Sequence, residues 1–104
     1  MDLNLKGRTA LVTGASRGIG LAVAKMLGAE GCPLHLAARS EEGLRAAADE
    51  IRGAHGVEVT VHPGDLSRPE TVAALGQACA DVDILVNNAG DIPTGSLESI
   101  DSAT

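Results

Sequence analysis

The chain of 104 residues contains no phenylalanine, tyrosine or tryptophan. Aromatic side chains bury the most apolar area per residue, so the core has to be built from Leu, Val, Ile and Ala, which gain less area for each ordered residue. We therefore expect a small core and marginal stability. The apolar share of 44% and the charged share of 21% are still those of a globular chain, which excludes global disorder.

Basic residues and cysteines are scarce as well. Eight Lys and Arg stand against fourteen Asp and Glu, and this net charge of −6 argues against a general nucleic-acid or acidic-membrane surface. Any contact with phosphate must therefore be local. No signal-peptide pattern opens the chain and no apolar run approaches membrane-spanning length, so we expect a cytoplasmic protein with Cys32 and Cys79 reduced.

The sequence does not indicate a metal site. The available nitrogen and sulfur ligands are His35, His55, His62 and the two cysteines. None of them shows the short paired spacing that metal-binding motifs use. We predict no bound metal.

Four short apolar runs predict β-strands. They lie at residues 9–13, 34–38, 57–61 and 82–87, and each of the first three is followed by a helical pattern. Alternating strands and helices give a parallel sheet with right-handed crossovers, which is the doubly wound α/β class. The expected strand order is 3-2-1-4.

The three helical patterns are marked by their apolar faces and their starts. The predicted faces are Ile19, Val23, Met26 and Leu27 in the first helix, Leu44, Ala47, Ala48 and Ile51 in the second, and Val72, Leu75 and Cys79 in the third. Ser40 is the predicted N-cap of the second helix, which ends around residues 53–56. Ser67 and Glu70 have capping-box spacing at the start of the third helix, where Pro69 is tolerated in the first turn.

After residue 90 the chain turns polar and irregular, and residues 100–104 read as a helix start without its helix. The fourth strand would then be a bare edge of the sheet. No linker or internal repeat marks a second domain. We therefore expect residues 1–104 to be the amino-terminal part of a single dinucleotide-binding domain, truncated rather than finished.

The most informative segment joins the first strand to the first helix at residues 13–20 and reads Thr-Gly-Ala-Ser-Arg-Gly-Ile-Gly. Helix N-termini expose free N–H groups and the positive end of the helix dipole, and glycines let a pyrophosphate approach the backbone. A glycine-rich turn can also be a plain structural turn. Its place on the first strand of a repeated strand–helix pattern favours dinucleotide binding.

This turn and the Asn-Asn-Ala-Gly segment at residues 87–90 together closely resemble the two amino-terminal signatures of the short-chain dehydrogenase/reductase family. The resemblance runs essentially end to end and implies a Rossmann fold. It places the turn on the pyrophosphate and ribose side of a nicotinamide cofactor, Asp65 and Leu66 beside the adenine, and residues 88–90 beside the ribose and toward the nicotinamide. The implied cofactor-binding residues are Gly14, Ser16, Arg17, Gly18, Ile19, Gly20, Arg39, Ser40, Asp65, Leu66, Asn88, Ala89 and Gly90.

Two of these assignments have plainer alternatives. Asp65 can be a loop carboxylate that helps the Ser67 cap, and the pair Asn87 and Asn88 can be a strand-ending turn. In the resembled family, Asn87 would mainly brace the central strands.

The end of the second strand distinguishes the two nicotinamide cofactors. An acid there hydrogen-bonds the ribose 2′-OH, whereas an arginine pairs with a 2′-phosphate. This chain has Arg39 at that position, and Arg17 can form the other side of a cationic clamp. NADP(H) is therefore favoured over NAD(H). The alternative is a solvated Arg39, with Glu41 or Glu42 meeting a 2′-OH.

The missing tyrosine limits the chemistry. The family transfers hydride with a Tyr, a Lys four positions later, a Ser and an Asn, whereas this chain has no Tyr and only Lys6 and Lys25 as lysines. No catalytic residue can be assigned. The resemblance implies the NADP(H)-binding part of an enzyme that interconverts a small-molecule alcohol and a carbonyl compound, in a family whose members are often homotetramers.

Two other classes of function are open. The first is a short non-catalytic nucleotide-binding or interaction module whose bare fourth strand is paired by a partner. The second is a different nucleotide-using α/β enzyme such as a methyltransferase, which explains the two signatures poorly.

Overall fold

The computed structural model describes residues 5–88 of the chain. Four strands and three helices alternate there: β1 (Ala10–Thr13), α1 (Gly18–Ala29), β2 (Leu34–Ala38), α2 (Glu41–His55), β3 (Val59–Pro63), α3 (Pro69–Ala78) and β4 (Ile84–Val86). The strands are parallel and lie in the order β3-β2-β1-β4, which confirms the predicted class and order. No helix in the described range combines the length and apolarity that crossing a membrane requires.

Side chains alternate between the two faces of the sheet, and each face has its own core. The face under α1 and α2 carries the larger core, to which β1 contributes Ala10 and Val12. The face under α3 carries a smaller core made of Leu11, Ala37, Leu66, Val72, Leu75, Cys79 and Val82. Helices on both faces leave the carboxyl ends of the strands open at one edge, where ligands bind in folds of this class.

The third and fourth strands differ from their predicted ranges at both ends. The third strand begins at Val59 rather than at residue 57, because the ladder starts with Leu34 opposite Val59. The fourth strand is only three residues long. Its start is set by Asp83, whose backbone N–H donates to the Thr9 carbonyl (2.8 Å) and whose carboxylate accepts the Thr9 N–H (3.1 Å).

The predicted apolar face of the first helix was right at Leu27, which is buried, and at Val23, which packs against the core, but wrong at Ile19 and Met26. The residues of α1 that are buried are Gly20, Ala24, Leu27 and Gly28. Val23 is half-buried, whereas Ile19 and Met26 are 74% and 52% exposed. Small residues let this helix approach its neighbours closely: a Cβ added to Gly28 would lie 2.9 Å from Cγ2 of Ile51. Hydrophobicity alone therefore misplaced part of the buried face.

The other two apolar faces are confirmed, since all seven predicted residues of α2 and α3 are buried: Leu44, Ala47, Ala48, Ile51, Val72, Leu75 and Cys79. The start of α2 is confirmed too, because the Ser40 hydroxyl accepts the Gly43 N–H at 3.0 Å. The predicted capping box of α3 was wrong. Its N-cap residue is Arg68, and the Ser67 hydroxyl instead donates to the Asp65 carboxylate at 2.7 Å.

We expect replacement of Ser40 with Ala to lower the free energy of unfolding by about 1 kcal/mol, because a backbone N–H at the helix start loses its acceptor. The Ser67→Ala substitution is the matched control, since the Ser67 hydroxyl caps no helix, and its effect should stay within about 0.5 kcal/mol. Urea unfolding followed by circular dichroism measures both. Equal losses would contradict the assigned caps.

Although the sequence shows no paired ligand spacing, three of the possible metal ligands group in space. His35, His62 and Cys79 lie together, with all three ligand atoms within 4.8 Å of one another. Sequence spacing missed the group because its members come from β2, β3 and the residue that ends α3, which the sheet and its crossover bring together.

Candidate functional site

A cavity of about 790 Å³ lies at the carboxyl ends of β1, β2 and β3. It opens beside β1, which has β2 on one side and β4 on the other, so the strand order changes direction at this point of the sheet. Doubly wound sheets bind ligands at this reversal point. Its lining residues are Gly14, Ser16, Arg17, Gly18, Ile19, Ala38, Arg39, Ser40, Gly43, Asp65, Leu66, Ser67 and Asn88.

The turn between β1 and α1 depends on glycine conformations. Gly14 and Gly18 have φ angles of +64° and +62°, which residues with a Cβ rarely adopt. A Cβ on Gly14 would also lie 3.1 Å from Nδ2 of Asn88, whereas one on Gly18 would meet nothing within 4 Å. Gly14 is therefore required by both conformation and space, and Gly18 by conformation alone.

The amino terminus of α1 opens into this cavity without a cap. The N-cap residue Arg17 is extended, no described side chain caps the helix, and the first turn carries no acid. By contrast, α2 has the Ser40 cap and two glutamates in its first turn. The free N–H groups and the positive helix dipole of α1 thus remain available to an anion in the cavity.

Gly20 is placed differently from the other predicted cofactor residues. It is buried and does not line the cavity. A Cβ there would overlap the carbonyl oxygen of Gly14 and lie 2.8 Å from Nδ2 of Asn88. Gly20 therefore acts through the turn: it lets α1 pack directly against the backbone of Gly14.

Thr13 connects the turn to the end of β4. Its buried hydroxyl accepts the backbone N–H of Asn88 at 2.8 Å and can donate to Oδ1 of Asn87 at 3.2 Å. Asn87 thus links β1 to the end of β4, consistent with the bracing role that the family resemblance implied. The bond from Asn88 holds that residue at the cavity wall.

Two arginines and one carboxylate set the charge of the cavity. Neither Arg17 nor Arg39 is within ion-pair distance of an acid in residues 5–88. The hydroxyl and N–H of Ser67 hydrogen-bond Asp65 and lower the pKa of this carboxyl, and the charges of Arg39 and Arg68 lower it further. An acidic chain therefore presents a cavity in which cationic side chains outnumber anionic ones.

Ten of the thirteen predicted cofactor residues line this one cavity: Gly14, Ser16, Arg17, Gly18, Ile19, Arg39, Ser40, Asp65, Leu66 and Asn88. Gly20 supports the turn from behind, and Ala89 and Gly90 lie outside the described residues. Glu41 and Glu42, the alternative partners for a ribose, do not line the cavity, and Glu41 is paired with Arg45 at 2.6 Å.

Three residues that were not predicted also line the cavity: Ala38, Gly43 and Ser67. Gly43 carried a usable signal, because a glycine inside a helix costs stability and often marks a close approach. A Cβ there would lie 3.0 Å from Cβ of Ser16, so Gly43 gives the glycine turn room beside α2. Ala38 and Ser67 carried no such signal.

Comparison with known proteins agrees with this geometry. The family model for short chain dehydrogenase matches residues 8–104. The chain is 45% identical over 92 residues to the oxidoreductase YvaG of Bacillus subtilis, a match that covers 86% of this chain and 34% of that protein. It is also 45% identical over 89 residues to the 3-oxoacyl-[acyl-carrier-protein] reductase FabG of Escherichia coli, covering 85% of this chain and 36% of that protein.

Among solved structures, the L-sorbose reductase of Gluconobacter frateurii, complexed with NADPH and L-sorbose, superposes with a TM-score of 0.82 at 39% identity. The match covers 86% of this chain and 36% of that one. The chain thus spans about a third of the length of the curated relatives it matches. The glycine turn, the strand order and the family match lead to one conclusion: the chain belongs to the short-chain dehydrogenase family.

Proposed function

We propose that the cavity at the carboxyl ends of β1, β2 and β3 binds NADP(H). The observation that carries this proposal is the uncapped amino terminus of α1, which faces a cavity whose two arginines have no described ion-pair partner. A helix start that has neither a cap nor an acid is suited to an external anion. The NADPH complexes of the L-sorbose reductase and of a Sphingobium yanoikuyae short-chain dehydrogenase support the same cofactor.

The described residues fit such a cofactor. The glycine turn and the start of α1 would hold the pyrophosphate, and Arg39 with Arg17 would hold the 2′-phosphate. Asp65 and Leu66 would lie on the adenine side, and Asn88, with Ala89 and Gly90 beyond the described range, on the ribose and nicotinamide side. When bound, the cofactor supplies or accepts a hydride; the residues described here bind and orient it.

Binding is measured most cleanly with a pair of nicotinamide-free probes, 2′-phospho-ADP-ribose and ADP-ribose, because they differ only in the 2′-phosphate. We expect the phosphorylated probe to bind about 10- to 100-fold more tightly, the range of one or two charge-assisted hydrogen bonds. Isothermal titration of the folded chain gives both affinities. Equal affinities would contradict the 2′-phosphate assignment, and binding of neither would contradict the cofactor site.

We further propose that the whole protein is an NADP(H)-dependent reductase that interconverts an alcohol and a carbonyl group of a small molecule. The support is the family membership and the reductase names of its relatives. Because the 104 residues contain no tyrosine, we expect the isolated chain to bind the cofactor without reducing a carbonyl substrate. The alternative is a non-catalytic module. It would be favoured if the chain binds nucleotide and no longer form of the protein turns over a carbonyl substrate.

Three further assignments remain predictions: the domain to which the chain belongs, its oligomeric state and its location in the cell. Residues 1–104 are proposed as the amino-terminal part of one Rossmann domain, supported by the single sheet that the described strands form. Homotetramer formation rests on the family resemblance. A cytoplasmic location is supported by Cys32 and Cys79, which are free thiols, as is usual in a reducing compartment.

A further inference from the structure

Three potential metal ligands meet on the sheet face under α3, away from the cofactor cavity. His35 of β2 and His62 of β3 project to this face, and Cys79 follows the last residue of α3. The Nδ1 atom of His35 lies 2.8 Å from Nε2 of His62, and Sγ of Cys79 lies 3.8 Å from the same Nε2. None of the three residues lines the cofactor cavity.

Burial affects the two kinds of ligand in opposite ways, because it favours the metal-binding form of an imidazole but not that of a thiol. Burial lowers the pKa of both histidines, and the charge of His35 lowers that of His62 further, which favours the neutral imidazoles. Cys79 is 1% exposed, and burial raises the pKa of its thiol to about 11. A cation bound there would displace the thiol proton, as metal ions do at cysteine ligands.

We propose that His35, His62 and Cys79 form a three-ligand site for Zn²⁺. Two imidazoles and one thiolate are a donor set that suits this ion, whereas Mg²⁺ and Ca²⁺ prefer oxygen ligands. A tetrahedral zinc ion with Zn–N near 2.0 Å and Zn–S near 2.3 Å holds its ligand atoms about 3.3–3.6 Å apart. The observed separations bracket this range, so side-chain shifts on the order of 1 Å complete the site.

A way in from solvent exists on the same side. His62 also lines a cleft of about 520 Å³ between β3 and α3. This cleft leaves room for water at the fourth coordination position. Because the ligands come from β2, β3 and the end of α3, a bound ion would tie β3, an edge strand of the described sheet, to the helix that covers it.

The test uses the untagged chain loaded with Co²⁺ or Zn²⁺ alone. We expect one Co²⁺ per chain with a thiolate-to-cobalt charge-transfer band, and stoichiometric Zn²⁺ binding in competition with a chromophoric chelator. Loss of an outer-shell partner of a metal ligand costs about 10- to 100-fold in affinity, so Cys79→Ala, which removes a ligand, should weaken Zn²⁺ binding at least about 100-fold. Cys32→Ala is the matched control, since Cys32 is also a buried free thiol but packs in the core of the opposite face.

X-ray absorption on the zinc-loaded wild-type chain tests the same site without any substitution, and one sulfur with nitrogen neighbours is the expected shell. A shell without sulfur, or equal affinity in Cys79→Ala and Cys32→Ala, would overturn the proposal in favour of a plain hydrogen bond between two stacked histidines, whose ring centroids are 5.0 Å apart. Binding of 2′-phospho-ADP-ribose should be unchanged in Cys79→Ala, which separates this test from that of the cofactor site.

Discussion

Replacing Arg39 with Asp should reverse the cofactor preference of the cavity from NADPH to NADH. Arg39 directly follows β2 at the cavity wall and has no ion-pair partner among the described residues. Losing charge-assisted hydrogen bonds to the 2′-phosphate costs about 1.5–3 kcal/mol, which weakens NADPH binding about 10- to 100-fold. The new carboxylate also repels the phosphate, and it can accept a hydrogen bond from the 2′-OH of NADH.

The matched control for this substitution is Arg45→Asp. It makes the same change in net charge on an exposed arginine of α2 that pairs with Glu41 and does not line the cavity. Fluorescence of the reduced nicotinamide measures both cofactors, and a chain without aromatic residues contributes no overlapping emission. If Arg39→Asp and Arg45→Asp show the same ratio of NADPH affinity to NADH affinity, Arg39 does not bind the 2′-phosphate.

The fold could be predicted from the sequence because its main signals are local and strong. Alternation of apolar runs with helical patterns determined the class, and the usual topology of that class then predicted the strand order. The buried face of α1 was harder to predict, since three of its four buried residues are the small Gly20, Ala24 and Gly28. The predicted capping box of α3 was wrong because Asp65 competes for the Ser67 hydroxyl. Sequence spacing alone does not indicate which of the two hydrogen bonds forms.

The candidate site was predictable where a motif fixes the backbone. The glycine turn, Arg39 and the Asp65 loop follow three neighbouring parallel strands, so their convergence at one edge follows from the strand order. Gly43 and Ser67 join the cavity through the packing of α2 and the path of one loop, which no local pattern encodes. The grouping of His35 with Cys79 is likewise tertiary, because these residues are far apart in sequence and meet only across a crossover.

The substitution with the largest expected effect on stability is Gly20→Ala. The added Cβ would overlap the Gly14 carbonyl oxygen and lie 2.7 Å from the Gly14 carbonyl carbon, and both are backbone atoms that cannot rotate away. Either α1 or the turn has to move. Overpacking of this kind costs about 3 kcal/mol or more, a large part of the roughly 5–15 kcal/mol that stabilises a domain. Because the turn itself shifts, affinity for 2′-phospho-ADP-ribose should fall as well.

The control is Gly53→Ala, at an exposed position in α2 where the built Cβ meets nothing within 4 Å. There the same methyl group should stabilise the chain by roughly 0.5–1 kcal/mol, because alanine loses less backbone entropy in a helix. Urea unfolding gives both free energies, and the two substitutions should differ in sign. A Gly20→Ala chain as stable as Gly53→Ala would mean that α1 does not pack against Gly14, so that this packing could not direct the free N–H groups of the helix into the cavity.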